Sequence, residues 1–564
     1  MKRIATNTSA EKPQGSPFFI DTCPFEFGKQ IDTAILDLAE DRVLNWPMVY
    51  ILANKRFAYV GQTNSVATRI GQHSANEEKK DFTTCNIIYN DEFNTSVITD
   101  YENRLIGLMS ADGKYQLTNK NDGMGNSNYF SKEKYEEMFV DLWSELQGME
   151  LADHSIQEIE ESEVFKYSPY KGLTPDQHVA LDTIMAAIED GLDKARPIVV
   201  EGMPGTGKTI LAIYLLKMLK DHPAYKNLNV KLLEPLPYMR ATLRNALKNI
   251  SGLAGNDIIG PDDLPKAKYG YTEEQGYDII LVDEAHRLKQ RKSLANYGAF
   301  DKTQKTLGFG KDSNQLDWIV GVSKLSVLFY DPMQTVGPSN ITSEQFRKAV
   351  GDALDSPIRL DTQMRVLGGN GYLTYIQDIL FDRHPSKQCF GDYELVLHDS
   401  FADFHNSFLE TQQEHNLTRL ISGYAFKWIS KGIQNKKSRG DDLYDICIDG
   451  VQIKWNSCFE NWVGKGMNDP EIAKEAGCIH SIQGYDLSYA YVIIGNDLRY
   501  DEAADCIRVD KASYFDRKGK DNATLEDLER YIRNIYYVLL TRGIYGTHVY
   551  VCDDALRKHL KSFF

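Results

Sequence analysis

Two sets of residues in this chain have the types and spacing to handle phosphates. The first is Gly202-Met-Pro-Gly205-Thr-Gly207-Lys208-Thr209, followed about 75 residues later by Asp278-Ile-Ile-Leu-Val-Asp283-Glu284-Ala285-His286. Gly202, Gly205 and Gly207 let backbone N–H groups close around the β- and γ-phosphates of ATP, Lys208 adds a positive charge, and the Thr209 hydroxyl ligates Mg²⁺ at a helix N-terminus. An apolar strand delivers Asp283 to the same Mg²⁺ shell, and Glu284 beside it can polarise the attacking water, which predicts hydrolysis as well as binding. The second set is Tyr50, Tyr59, Arg69, His73 and Glu102. Cutting a phosphodiester needs an activated water, a cation for the developing charge and a metal near the leaving oxygen, and these side chains match those needs.

The elements that must position these residues are readable locally. Pro197 to Val200 predicts a buried strand leading into the glycine loop, and Ile210 to Leu219 a helix leaving it. Leu173-Thr-Pro-Asp-Gln177 opens another helix, with Thr174 as N-cap and Pro175 at the first helical position. Val230 to Leu233 predicts a strand, and Tyr238 to Ile250 a helix carrying Arg240 and Arg244 one turn apart. Around the second set, Met48 to Leu52 and Phe57 to Gly61 predict a hairpin across the polar stretch Ala53 to Arg56. Arg69 and His73 lie four apart on a predicted helix, Glu102 opens the helical run Tyr101 to Met109, and Ile31 to Leu44 has helical spacing. Each residue also has a plainer reading: paired tyrosines pack across a hairpin, an Arg/His pair lines a solvated face, and a Glu early in a helix suits the dipole.

The chain has 564 residues, 42% hydrophobic and 11% aromatic, which is too much for one core and predicts three or four packed units. Net charge is −16, with neither the first 150 residues (15 Lys/Arg, 22 Asp/Glu) nor the remainder (49 and 58) basic, so any polyanion site must be a local groove. Two candidates are Arg287-Lys289-Arg291-Lys292 and the group Lys427, Lys431, Lys436, Lys437 and Arg439, with Trp428 and Trp455 as stacking platforms; solvated loops and core tryptophans are the competing readings. The eight cysteines form no C-x-x-C pair and have no His at zinc spacing, as expected of reduced thiols in a cytoplasmic protein. The N-terminus lacks the apolar core of a signal peptide, and no membrane span is expected.

The order Tyr50, Tyr59-Val60-Gly61, Arg69, His73, Glu102 and Asn119 resembles the GIY-YIG nucleases, with Val49-Tyr50-Ile51 standing for the first triplet and departing from it at both edges. The resemblance implies that Tyr50 or Tyr59 positions or deprotonates the water, Arg69 holds the phosphate, His73 assists proton transfer, and Glu102 is the single ligand of Mg²⁺, with Mn²⁺ as a substitute. Asn119 stands where that family has a structural Asn.

Further blocks resemble superfamily 1 helicases, above all the compact schlafen-like ATPase/helicases of bacteria. Asp331-Pro-Met-Gln334 is similar to motif III, Gln363-Met-Arg365 to motif IV, His480-Ser-Ile-Gln483-Gly484-Tyr-Asp486 to motif V and Thr541-Arg542 to motif VI. The resemblance implies that Gln177 contacts adenine, that Asp331 and Gln334 sense the γ-phosphate, and that Arg365 and Arg542 are arginine fingers on the far lobe that reach across only when ATP closes the cleft. The expected fold is α/β: a small α+β nuclease domain in residues 1–146 with a polar leader over 1–30, an acidic linker over 147–172, and two RecA-like parallel-sheet lobes over 173–350 and 351–564. The expected function is an ATP-dependent nuclease-helicase acting on nucleic acid, DNA before RNA, in defence against phage or plasmid DNA. The alternatives are an ATPase-gated RNA or tRNA nuclease and a non-cleaving ATP-switched scaffold; an oligomer is compatible with either.

Overall fold

The computed structural model describes residues 17–29, 45–119, 129–160, 173–248, 250, 252–430, 443–456, 462–463, 469–482 and 485–564. The helix expected over Ile31–Leu44, the second part of the linker, and Lys431, Lys436, Lys437, Arg439, Gln483 and Gly484 lie outside them. The chain divides into two compact units, one of residues 1–178 with 209–230 and 240–258, the other of the remainder.

In the first unit a five-stranded sheet has the order β1-β4-β2-β3-β5. Its strands are β1 (Phe19–Pro24), β2 (Met48–Ala53), β3 (Phe57–Thr63), β4 (Thr84–Tyr89) and β5 (Gln116–Leu117). The expected hairpin is β2–β3, antiparallel, with Tyr50 opposite Gly61. Strand β2 is buried at all six positions, because β3 and β4 flank it and helices cover it. The polar leader expected over residues 1–30 contains β1, which pairs with β4. Phe18, Cys23 and Phe25 are buried, which is why this otherwise polar stretch joins the sheet. Arg69 and His73 lie on the helix Val66–Ser74 as expected. Glu102 does not open its helix: the helix runs Thr95–Asp112, and the Asn94 side chain caps it by accepting from Ser96 and Val97 N–H.

Residues 147–160, expected as linker, pack on this unit. The helix Lys132–Gly148 buries Phe139, Leu142 and Trp143, and Leu151, Ala152 and Ile159 are buried beyond it. Asp112 accepts from the backbone N–H of Asp153 and His154. Acidity suggests a solvated stretch, yet Leu151, Ala152 and Ile159 point inward.

The second unit holds two larger sheets. One has the order β11-β6-β10-β9-β7-β8, built from β6 (Ile198–Gly202), β7 (Val230–Leu233), β8 (Ile258–Ile259), β9 (Tyr277–Val282), β10 (Ser323–Tyr330) and β11 (Ile358–Leu360). Strands β11, β6, β10 and β9 run parallel, so the chain leaves β6, β9 and β10 at one edge. There it forms the glycine loop, the Asp283-Glu284 turn and the Asp331 turn side by side. The other sheet has the order β12-β20-β17-β13-β16-β15-β14. Its strands are β12 (Glu394–Leu397), β13 (Arg419–Ser422), β14 (Ile446–Ile448), β15 (Val451–Trp455), β16 (Glu475–Gly477), β17 (Leu487–Ile494) and β20 (Gly543–Val551). It is parallel except for the β14–β15 pair. A small antiparallel ribbon, β18 (Leu498–Asp501) with β19 (Cys506–Val509), stands apart from it.

One boundary differs from expectation. Strand β11 lies beside β6 in the first of these sheets, so residues 358–360 belong there and not to a lobe starting at 351. Three residues in a polar stretch give no periodicity from which to assign a sheet. Among the described residues no helix is long and apolar enough to cross a membrane.

Candidate active sites

The glycine loop joins β6 to the helix Lys208–Asp221. Gly205 and Gly207 have φ of +86° and +75°, conformations that side chains resist. A methyl group on Gly205 would also fall 2.1 Å from Gln363 Oε1 and 2.7 Å from Arg365 Cβ, so a second segment covers the loop. Gln363 Nε2 donates to Pro204 O (2.8 Å) and Met364 N to Gly205 O (2.9 Å). Arg365 therefore stands beside the phosphate loop, on the segment leaving β11. Its expected place on a far lobe is corrected by the pairing of β11 with β6.

Lys208 Nζ donates to Gly202 O (2.6 Å) and Met203 O (3.0 Å), and lies 3.9 Å from Asp331 Oδ2. Gln334 Nε2 donates to Asp331 Oδ2 (2.8 Å), and Arg542 Nη2 donates to Gln334 Oε1 (3.1 Å). A continuous polar line thus runs from the end of the helix Leu525–Leu540, through Gln334 and Asp331, to the phosphate-loop lysine. Arg365 Nε contacts Asp486 Oδ1 at 2.5 Å, which brings Asp486 into the same group.

Glu284 sits at φ +49°, left-handed backbone that costs a non-glycine residue about 1–3 kcal/mol. Burial by itself would raise its carboxyl, but neighbouring positive charge outweighs burial and holds it well below the ordinary range. His286 Nε2 lies 2.6 Å from Glu284 Oε2 without the angle of a hydrogen bond. The causes that hold Glu284 down are first His286, then Lys208 and Arg287, while burial lowers the His286 imidazole itself. Arg287, expected on a phosphate-binding surface, is buried, and burial brings it down to about 10, still protonated. Arg542 is likewise buried and lowered to about 10, first by burial and then by the nearby charge of Arg365.

Glu284 Oε2, Arg365 Nη1, Arg542 Nε and Arg287 Nη2 are buried and make no hydrogen bond in the structure. Such groups cost free energy unless a ligand meets them, and guanidiniums around a glycine loop fit a triphosphate. Asp283 is buried at the end of β9, with its N–H donating to Leu233 O. Gln177 is fully buried, not solvated, and its Oε1 accepts from Thr174 N at the start of the helix Pro175–Glu189. Thr209 is the second residue of the helix after the loop. Trp455 is buried in the core, which removes it as a stacking platform, and Trp428 is half-buried with its ring edge-on to Trp455.

In the first unit, Tyr50, Tyr59, Arg69 and His73 converge. The Tyr50 hydroxyl is 2.7 Å from His73 Nε2 and accepts from Arg69 Nε at 3.3 Å. The Tyr59 ring lies 6.3 Å from that of Tyr50 and 5.2 Å from His73. Burial raises the Tyr50 phenol well above its usual value, and burial followed by the charges of Arg69 and Lys79 lowers His73 to about 4. A protonated phenol beside a neutral imidazole means that Tyr50 donates to His73 while accepting from Arg69.

Gly61 is required by space: a Cβ there would meet Tyr50 Oη at 2.2 Å. Asn119 clamps β3 at both groups of one residue, accepting from Val60 N (3.1 Å) and donating to Val60 O (2.8 Å). Glu102 is raised by burial, and Gln62 hydrogen bonds and the Arg69 charge pull it part of the way back. No group of three or more His, Cys, Asp and Glu side chains suited to a metal occurs among the described residues. The donor set here fits a hard divalent cation that takes one protein carboxylate and otherwise water and phosphate oxygens. Lys79 was missed by sequence reasoning. Its ammonium lies 3.3 Å above the Tyr59 ring, yet Glu77-Glu78-Lys79-Lys80 reads as a solvated turn.

The family model of the Schlafen group 3, DNA/RNA helicase domain matches residues 196–553, more than half of the chain. The chain belongs to this Schlafen group 3 family. A GIY-YIG catalytic domain matches residues 47–122, so this Schlafen group 3 protein joins a nuclease domain to a helicase-like one. An uncharacterized protein of Saccharomyces cerevisiae, YPL245W, is 25% identical over 413 residues, 64% of this chain and 83% of the yeast protein. Two solved structures also match, at low similarity. The Pif1 helicase from Candida albicans is 12% identical, with a TM-score of 0.29 and coverage of 68% of this chain and 96% of that one. S. cerevisiae Dbp5 bound to RNA and ADP BeF3 is 13% identical, with a TM-score of 0.30 and coverage of 69% and 92%.

Proposed function

We propose that the protein is an ATP-dependent nuclease-helicase: a Schlafen-type motor hydrolyses ATP to move on a nucleic acid strand, DNA in preference to RNA, which its GIY-YIG domain cuts. The observation that carries this reading is the polar line Arg542–Gln334–Asp331–Lys208, because it joins the second sheet to the phosphate loop and so couples hydrolysis to their relative movement. Gly202, Gly205, Gly207 and Lys208 would hold the phosphates, Gln177 the adenine, and Thr209 and Asp283 would ligate Mg²⁺. Glu284, ionised and set at the strand end, polarises the attacking water. Gln334 senses the γ-phosphate, and Arg365 and Arg542 stabilise the charge that develops on it.

At the nuclease site Tyr50 keeps its proton and orients, while Tyr59, only half-buried, is the phenol that reaches the water. Arg69 holds the scissile phosphate, and the neutral His73 accepts the Tyr50 hydroxyl in a hydrogen bond that fixes the ring beside the reacting phosphate. A Mg²⁺ or Mn²⁺ ion held by Glu102 would supply charge stabilisation at the leaving oxygen. A cutter joined to a motor suits restriction of invading phage or plasmid DNA inside the cell. The test is incubation of the wild type, Glu102→Ala and Lys208→Ala with labelled single- and double-stranded DNA and RNA in Mg²⁺, with and without ATP. Wild-type cutting that Glu102→Ala removes, with ATP turnover intact, is expected. No cutting of any substrate in Mg²⁺ or Mn²⁺ would refute the nuclease assignment.

A further inference from the structure

Between Leu360, the last residue of β11, and the helix Gly369–Leu380, the chain crosses the phosphate loop with no helix or strand of its own. No ladder fixes this strap, so single hydrogen bonds must set its course, and Gln363 makes three of them. Its Nε2 donates to Pro204 O (2.8 Å), while its Oε1 accepts from the backbone N–H of Arg365 (2.9 Å) and of Val366 (3.3 Å). One amide therefore grips the loop at one end and fixes the backbone of Arg365 at the other. Met364 N donates to Gly205 O (2.9 Å), and Asn370 Nδ2 donates to Asp361 O, which closes the strap at its ends. On its far side Leu367 N donates to Ile544 O (3.0 Å) on β20, two residues past Arg542.

The residue type suits this place. An amide both donates and accepts, so it can serve Pro204 O and Arg365 N at once, whereas a lysine could only donate and a glutamate only accept. It is also neutral, and so adds no charge beside a triphosphate. Arg365 needs such a hold. Its guanidinium is fixed at Nε by Asp486 alone, its buried Nη1 has no hydrogen-bond partner, and the charge of Arg542 stands close enough to oppose its own. A strap free to shift would let the two guanidiniums separate, and the Gln363 bonds resist that movement.

We infer that Gln363 is a positioning residue for ATP hydrolysis: it ties the place of the Arg365 guanidinium to the phosphate loop and acts on the reaction only through Arg365. The inference rests on the proposed ATP hydrolysis and adds to it the residue that aims one of its arginines. The experiment uses the full-length protein and three variants: Gln363→Met, which keeps the length of the side chain and loses its amide, Arg365→Ala, and the two combined. Turnover is measured by release of labelled phosphate, and affinity by titration with a fluorescent ATP analogue, which also shows that each variant is folded. Gln363→Met is expected to lower kcat about 10²-fold, the cost of a reacting group displaced by about 1 Å, with nucleotide affinity within about threefold of wild type. Arg365→Ala should lower kcat about 10³-fold, and the double variant should be no slower than Arg365→Ala, because a residue that acts through the guanidinium has nothing to add once it is gone. Wild-type turnover in Gln363→Met or in Arg365→Ala, losses that multiply in the double variant, or an affinity loss in Gln363→Met equal to its loss of kcat would each overturn the inference and leave ATP hydrolysis standing. A wild type that hydrolyses no ATP would overturn both.

Discussion

Gly61→Ala tests whether the packing of one ring sets the nuclease geometry. Gly61 lies opposite Tyr50 in the β2–β3 hairpin, and its backbone is ordinary, so only space forbids a side chain. The added methyl carbon would lie 2.2 Å from Tyr50 Oη, 2.4 Å from Cζ and 2.9 Å from Cε2. Ordinary contact begins near 3.4 Å, so the ring must shift by more than 1 Å. Tyr50 is fully buried and cannot escape toward solvent, and any shift draws its hydroxyl from His73 Nε2 and Arg69 Nε together. Overpacking of this kind costs about 1–3 kcal/mol of stability, and a displacement of about 1 Å at a reacting group costs about 10²-fold in rate. The assay compares cleavage with ATP turnover in the same preparation, and a melting curve reports the fold. Cleavage should fall about 10²-fold, the melting temperature modestly, and ATP turnover not at all. A Gly61→Ala protein that cuts at the wild-type rate would show that the Tyr50 hydroxyl does not need its present position, and the proposed role of Tyr50 would fail with it.

Glu284→Gln should retain nucleotide binding while turnover falls about 10²-fold or more, because an amide cannot polarise water; phosphate release and a fluorescent nucleotide titration separate the two, and normal turnover would refute the assignment. Arg542→Ala should lower turnover about 10³-fold with little change in nucleotide affinity, and should also destabilise the protein by about 1–3 kcal/mol, because it leaves the buried Gln334 Oε1 without its donor. An equal loss of affinity would instead assign Arg542 to ground-state binding. Asp497 is buried, accepts from Tyr536 Oη at 2.6 Å, and is raised by burial from 3.8 to about 7. Between those values the folded chain holds a proton that the unfolded chain has released, so stability falls as pH rises, by at most about 1.4 kcal/mol per unit. Asp497→Asn removes this dependence, so its melting temperature should gain on the wild type from pH 5 to pH 8; a constant difference would refute the buried carboxylic acid.

The parts of this molecule that could be read from sequence are those whose geometry is local. The glycine loop needs positive φ at Gly205 and Gly207 within one turn of chain, and Asp283-Glu284 follows directly from an apolar strand, so motif and structure coincide. The hairpin was equally legible, because two apolar runs around a polar break leave few pairings. Residues whose fate depends on distant partners were not. Arg287 and Lys79 each sit in a run of charges that reads as solvated, yet both are buried, one beside Glu284 and one against Tyr59. Arg365 reads from sequence as a residue of the far lobe, yet it follows β11, which is three residues long and pairs with β6 more than 150 residues earlier. The same separation gives these residues their use. Arg542 and Gln334 are 208 positions apart and share one hydrogen bond, so a change at the phosphate loop reaches the second sheet without passing along the backbone. The proposed motor would use such contacts, which can break and re-form at each turnover while the local motifs stay intact.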